Sequence, residues 1–349
     1  MTEYHYRKEK DMIYPQRMRK GDLIGVTATS TGISTERDQI KLDLAYRQVE
    51  SLGYRIVETE NVRTNRKLVS SGPRERADQF MALWEDRDVR MIAQVFGGEL
   101  LLEILPFLDP ERIKASEPKW VTGFSDSSIL NYYLTTGFNI ATATMDNILY
   151  FGMEELHPSL TNQFRILEKC GRSRQKSFDL FQVDEYEDDR YYEYYNLTEP
   201  VVYSHLYGKD SEKVRGRIIG GCIDALRFVI GTPFDHTGEF CSQFPEGMLW
   251  YLDNCQMPTP ELRRALWQAK NAGWFDNARG ILVGRTYAED PFEDYEFVDA
   301  LHDSFDELEI PVICDVDFGH VQPQWTMING AYGEFIYRNG KGALVTEMR

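Results

Sequence analysis

The stretch DLIGVTATSTGISTERDQIKLDLAYRQVESLGYRIVETE, residues 22–60, decides the fold. It opens with a short apolar, β-rich run that ends in small residues, DLIGVTATSTG (22–32). That pattern reads as a strand entering a loop. Residues 34–52 have a Ser start and helical periodicity, and Gly53 stops them. YRIVETE (54–60) is the next strand. Strand, helix and strand in succession predict a β-α-β unit.

The pattern continues outward from this unit. PRERADQFMALWED (73–86) reads as a second amphipathic helix, and VRMIAQVF (89–96) as an apolar strand that ends at Gly97-Gly98. ELLLEILPFL (99–108) is helical or turn-like, and KWVTGF (119–124) is again a strand. A largely parallel sheet follows, in a first domain over residues 1–150. Residues 182–200, QVDEYEDDRYYEYYNLTEP, are acidic and Tyr-rich, and are expected to be a surface excursion within a connecting region, 151–205.

A second domain, 206–349, is expected to begin with VRGRIIGGCIDALRFVIGTPFD (214–235), read as strand, Gly-Gly turn and helix. Strands follow at 247–254, 279–287 and 311–320, with a helix at 258–276. A hairpin is expected around Asn339-Gly340.

The composition excludes several classes. The net charge is -17, which repels phosphate backbones and anionic lipid, so nucleic acid and membrane are poor partners. No run has the roughly 18 apolar residues of a membrane span. The N-terminus, MTEYHYRKEKDMIYPQRMRKGD, has no apolar signal core, so a cytoplasmic location is expected. The five cysteines are odd in number and lack a C-x-x-C pair, which points to reduced thiols rather than a disulfide or zinc framework.

Three polar residues stand at strand ends. Ser125 follows KWVTGF, Asp253 closes MLWYLD and His320 follows VICDVDFG. Chemistry in α/β sheets gathers at such carboxyl ends. A Ser hydroxyl becomes nucleophilic when a neutral His takes its proton, and a carboxylate fixes the His tautomer. Gly123 before Phe124-Ser125 suits a sharp turn that exposes the hydroxyl and offers the Asp126 N–H to a substrate oxygen. The Gly97-Gly98 turn could supply a second donor. A Gly-x-Ser-Asp at a strand end equally suits a helix N-cap.

Ordered motifs make the chain similar to a known family. KGDLIGVTATS, AQVFGGELLLEILPFLD, PKWVTGFSDSS, GRIIGGCIDALRFVIGTPFD, GMLWYLDN, GILVGRTY and DVDFGHVQPQ resemble the LD-carboxypeptidase family of serine peptidases, which includes microcin-immunity-like proteins. The resemblance runs from about Lys20 to the C-terminus. It implies an α/β fold: a Rossmann-like N-terminal domain with a parallel sheet, a smaller β-rich mixed C-terminal domain, and an active site in the cleft between them. It implies Ser125, Asp253 and His320 as the catalytic set, backbone N–H groups of Gly98 and Asp126 as oxyanion donors, no metal or other cofactor, a small peptide substrate and a homodimer.

Two positions depart from the family. Asp253 stands where Glu is usual, and one methylene less leaves its carboxylate about 1.5 Å short of His320 on an unchanged backbone, although a local backbone adjustment could restore the contact, since Asp serves this role in other triads. A displacement near 1 Å costs on the order of 100-fold in rate. Phe96 replaces the Arg of an Arg-Gly-Gly phrase. Three functions are therefore weighed. The first is an LD-carboxypeptidase that releases the terminal D-alanine of murein tetrapeptides in cell-wall recycling. The second is a microcin-immunity-like amidase acting on peptidyl or aminoacyl nucleotide conjugates, with an aromatic from the Tyr-rich stretch or Trp325 stacking on the base. The third is a non-catalytic binding descendant, motivated by the short Asp253.

Overall fold

A computed structural model describes residues 11–288 and 290–349. The polar stretch 1–10, where the first domain and the absence of a signal core were read, lies outside the described residues, as does Glu289.

The first sheet holds β1 (Leu23–Thr27), β2 (Arg55–Glu58), β3 (Val89–Gln94), β4 (Trp120–Thr122) and β5 (Thr142–Thr144). These five run parallel in the order β5-β4-β3-β1-β2. The strands and helices expected from residues 22–124 are all present. The helix after β1, Glu36–Ser51, starts one residue after Thr35, whose side chain accepts from the Asp38 amide and caps it. The helix Pro73–Glu85 has Pro at its first position, where a missing N–H costs nothing. Both faces of the sheet are buried: Ile24, Val26, Met91 and Ala93 pack on one side, and Val89, Ile92 and Val121 on the other. That explains the continuous rather than alternating apolar runs.

The second sheet is mixed. Its strands are β6 (Arg172–Lys176), β9 (Ser204–His205), β10 (Ser211–Cys222), β11 (Met248–Asp253), β12 (Ala278–Gly284), β13 (Val312–Val316), β15 (Tyr332–Arg338) and β16 (Lys341–Glu347), in the order β6-β16-β15-β10-β11-β12-β13-β9. β10 through β13 are parallel, while β6, β9, β15 and β16 run antiparallel to their neighbours. The hairpin at Asn339-Gly340 is β15–β16. A short pair, β7 (Leu180–Gln182) and β8 (Leu197–Pro200), brackets the acidic Tyr-rich stretch.

Three features differ from the sequence reading. β10 does not turn at Gly220-Gly221 but runs on to Cys222, and the helix after it spans only Ile223–Leu226. β6 (RSRQK) carries no apolar alternation, because it is an edge strand held by backbone pairing to β16. β14 (Met327–Asn329) lies far along the chain, yet pairs antiparallel with β5 and extends the first sheet to six strands. The segment after His320 is thereby stitched to the first sheet.

Candidate active site

The nucleophile candidate sits on a strained turn. β4 ends at Thr122, and Gly123 follows with φ +146°. A Cβ there would lie 2.8 Å from Asn147 Oδ1 and 2.9 Å from Gln94 Cγ, so only glycine fits. The Phe124 amide donates to Asn147 Oδ1 at 3.2 Å, and Asn131 Nδ2 donates to the Gly123 carbonyl at 3.0 Å. These bonds fix the turn from both sides. Ser125 then takes φ +65°, a left-handed conformation that costs a non-glycine residue about 1–3 kcal/mol and persists only where the surroundings impose it. The chain enters a helical turn, Ser125–Ser127, and the helix Ser128–Phe138. Neither start carries a side-chain cap hydrogen bond, so Ser125 is not serving as a helix cap.

Asp126 ties a second loop to this turn. Its buried carboxylate accepts from Ser30 Oγ at 2.5 Å and from the Leu101 amide at 2.8 Å. The Leu100 amide in turn donates to Ser30 Oγ at 3.3 Å. The Gly97-Gly98 loop is thus held against the nucleophile turn: a Cβ on Gly97 would lie 2.9 Å from both Cβ and Oγ of Ser125. Burial pushes the Asp126 carboxyl above its usual range, against the hydrogen bonds that lower it.

The second sheet contributes the other two residues. Asp253 is the last residue of β11 and is buried. His320 follows β13 after a short loop, and its Nδ1 lies 2.7 Å from Asp253 Oδ2. The expected shortfall of the shorter carboxylate does not occur. The backbone passes close to this carboxylate at Gly319, where φ is +106° and a Cβ would begin 2.0 Å from Asp253 Oδ1. The loop after His320 is pinned by Asp146, whose buried carboxylate accepts from Gln322 and Gln324, each at 2.8 Å, and from Gln163.

Burial depresses the His320 pKa, but the charge and hydrogen bond of Asp253, with the Cys255 thiol alongside, outweigh it. The imidazole stands well above its ordinary 6.5. Its Nε2 has no hydrogen-bond partner, and no hydrogen bond joins it to Ser125. The nucleophile turn is nonetheless its neighbour, since the Phe124 ring meets the imidazole edge-on with centroids 5.0 Å apart. Catalytic hydrogen bonds are often this loose before substrate binds.

Tyr150, Lys41 and Tyr287 were not singled out from sequence. Tyr150 packs edge-on against Phe124 at 5.3 Å. Lys41 is buried with its amine 3.5 Å from the Tyr191 ring centroid, and burial lowers its pKa to about 8. Tyr191 belongs to the acidic Tyr-rich stretch, which leans on the helix Glu36–Ser51 through Lys41 and Arg37. Tyr287 is half exposed and donates to the Gln182 carbonyl at 3.1 Å. Trp325, weighed as a base-stacking aromatic, is in the core, with Nε1 donating to the Lys176 carbonyl. It is closed to any ligand. Among the described residues no helix is long and apolar enough to cross a membrane.

Comparison with known proteins places this geometry in context. Residues 24–144 match the model of the LD-carboxypeptidase N-terminal domain, and residues 215–335 that of the LD-carboxypeptidase C-terminal domain. YocD of Bacillus subtilis is 25% identical over 318 residues, which cover 89% of this chain and 92% of that protein. The microcin C7 self-immunity protein of Escherichia coli is 25% identical over 332 residues, 88% of each chain. A Bacillus subtilis protein named "probable murein peptide carboxypeptidase" is 24% identical over 270 residues, 77% of this chain and 73% of its own. Among solved structures, an MccF-like protein from Bacillus anthracis superposes with a TM-score of 0.81 at 21% identity, covering 97% of this chain and all (100%) of its own. The microcin C7 self-immunity protein, solved with aspartyl sulfamoyl adenosine, superposes with a TM-score of 0.78 at 21% identity, covering 96% and 98%.

Proposed function

Because this chain belongs to the LD-carboxypeptidase family, we propose that it is a serine hydrolase that cleaves the bond to the terminal D-alanine of murein tetrapeptides, with Ser125, His320 and Asp253 as its catalytic set. The observation that carries the reading is the 2.7 Å contact between Asp253 and His320, beside a Ser held at φ +65°. A carboxylate on Nδ1 leaves the basic lone pair of a neutral imidazole on Nε2, which has no other hydrogen-bond partner.

In the proposed reaction the Ser125 hydroxyl attacks the scissile carbonyl while His320 Nε2 takes its proton. The backbone N–H groups of Gly98 and Asp126 receive the developing oxyanion. His320 then returns the proton to the leaving D-alanine amine, and water hydrolyses the acyl-enzyme by the reverse roles. Asp126 acts through its carboxylate as well, by holding the Gly97-Gly98 loop against the turn. The expected cytoplasmic location belongs to this reading, as does the homodimeric state, which rests on the family resemblance.

A second reading has its own observation. The ring of Tyr287, 48% accessible, follows the carboxyl end of β12, the parallel neighbour of β11, whose own carboxyl end is Asp253. An aromatic there offers a stacking face for a nucleotide base. The same three residues would then cleave aminoacyl or peptidyl nucleotide conjugates. The non-catalytic reading loses its motive, since the short Asp253 does reach His320. Incubation with a murein tetrapeptide, and separately with an aminoacyl sulfamoyl adenosine, followed by mass spectrometry, tests the choice. Release of D-alanine from the first supports the peptidase, and turnover of the second alone selects the amidase.

A further inference from the structure

We propose that Cys222, Asp253 and His320 form a binding site for a thiophilic divalent cation such as zinc, and that filling it silences the hydrolase. The ligand atoms of these residues all lie within 4.8 Å of one another. Cys222 ends β10 and is in direct register with Asp253 at the end of β11, so adjacent strands deliver sulfur and oxygen to one point. Both residues are 3% exposed. The second oxygen of Asp253, Oδ1, lies against Gly319 and is buried without a hydrogen-bond partner, so the carboxylate has an unmet acceptor.

The donor set is sulfur, oxygen and imidazole nitrogen, which zinc takes readily and magnesium or calcium does not. Zinc bonds of about 2.3 Å to sulfur and 2.0–2.2 Å to nitrogen and oxygen hold the ligands about 3.5 Å apart, so on binding the 2.7 Å contact between Asp253 and His320 opens while any wider separation in the cluster closes. Water completes the coordination. The Cys222 thiol donates to Asp224 Oδ2 at 3.6 Å, so the cation must displace that proton. That thiol proton leaves to solvent. The thiolate and the carboxylate then balance the two positive charges.

The nitrogen that faces Asp253 is Nδ1. A metal there takes the place of the Nδ1 proton, and the imidazole keeps its hydrogen on Nε2. That is the wrong tautomer for a base acting on Ser125. The inhibition rests on the proposed function, whereas the binding does not. Cys222 has no part in the proposed hydrolysis, so the site can be removed without touching the catalytic set.

Cobalt is the direct probe, because a thiolate ligand gives it a charge-transfer band in the near ultraviolet. The purified full chain titrated with cobalt alone should develop this band, and zinc should abolish it. Cys255→Ser should keep the band and Cys222→Ser should lose it, with circular dichroism showing both variants folded. No band in the wild-type chain at saturating cobalt overturns the site whatever the variants do, and a band surviving in Cys222→Ser overturns the assignment. Zinc should also lower wild-type hydrolysis by about the 10⁴-fold that a wrong tautomer costs, reversibly on chelation, and spare Cys222→Ser. Equal inhibition of both proteins overturns the inhibitory mechanism. A chain with the cobalt band but no hydrolysis of any substrate instead refutes the proposed function, so the two failures are distinguishable.

Discussion

Asp253 Oδ2 lies 2.7 Å from His320 Nδ1, and the glycine before that histidine makes the contact possible. Any side chain at position 319 would begin 2.0 Å from the other oxygen of the same carboxylate. Only a glycine at 319 leaves room for the carboxylate beside the imidazole. Asp253→Asn should therefore lower kcat by about 10⁴-fold, because the amide stabilises the wrong imidazole tautomer. Asp253→Glu should lower activity too, since an added methylene overpacks a buried site with no slack at Gly319. Steady-state kinetics on the active substrate check both.

Gly97→Ala probes the loop that faces the nucleophile. Gly97 is not in a left-handed conformation, so alanine is compatible with its backbone. Its new methyl would lie 2.9 Å from Ser125 Oγ and must push the hydroxyl aside. We expect kcat to fall on the order of 100-fold, as for a displacement near 1 Å, with little change in Tm. Unchanged kcat would show that Ser125 does not depend on this packing.

The pH profile follows from the dyad. Asp253 holds the His320 pKa above 6.5, and the base must be neutral to act. Activity should rise with pH, with a midpoint above 6.5, and Asp253→Asn should move that midpoint down. The stability linkage has the matching sign. A raised folded-state pKa contributes stability that is fully present below 6.5 and is lost as pH rises through the folded value. Rate profiles and thermal melts across this window read the two effects separately.

His157 has the opposite sign. It is buried, and burial alone lowers its pKa to about 4. Its ring nitrogen Nδ1 caps the helix Pro158–Lys169 by accepting from the Ser159 amide at 3.1 Å. Protonation removes that acceptor. Stability is complete above pH 6.5 and should drain away as pH falls from 6.5 toward 4. His157→Asn retains a capping oxygen without a titrating ring. Its melting temperature should be lower at neutral pH, from lost ring contacts with Phe178 and Tyr194, but flatter across this range.

Much of this was legible from residues 22–60 and 118–128. The helix starts, the Gly stops and the apolar runs of a doubly covered sheet are local signals, and they fixed β1 to β4. Ser125 was legible because a strand, a glycine and a hydroxyl fall in order. The rest depends on pairing across long stretches of chain. Cys222 sits opposite Asp253 because β10 and β11 share a register, which neither strand encodes alone. β14 joins the first sheet through only three residues, Met327–Asn329, too short a run to carry a period. The reach of Asp253 depends on the path of the backbone at Gly319, 66 residues away by number and adjacent in space.

In the proposed function Ser125 is a nucleophile activated by His320. Treating the protein with a fluorophosphonate and measuring the intact mass tests it most directly, since that reagent bonds covalently to an activated serine. A single adduct is expected in the wild-type chain, located on Ser125 by peptide mapping and absent from Ser125→Ala. A wild-type chain that takes no adduct, or an adduct that persists in Ser125→Ala, would contradict it.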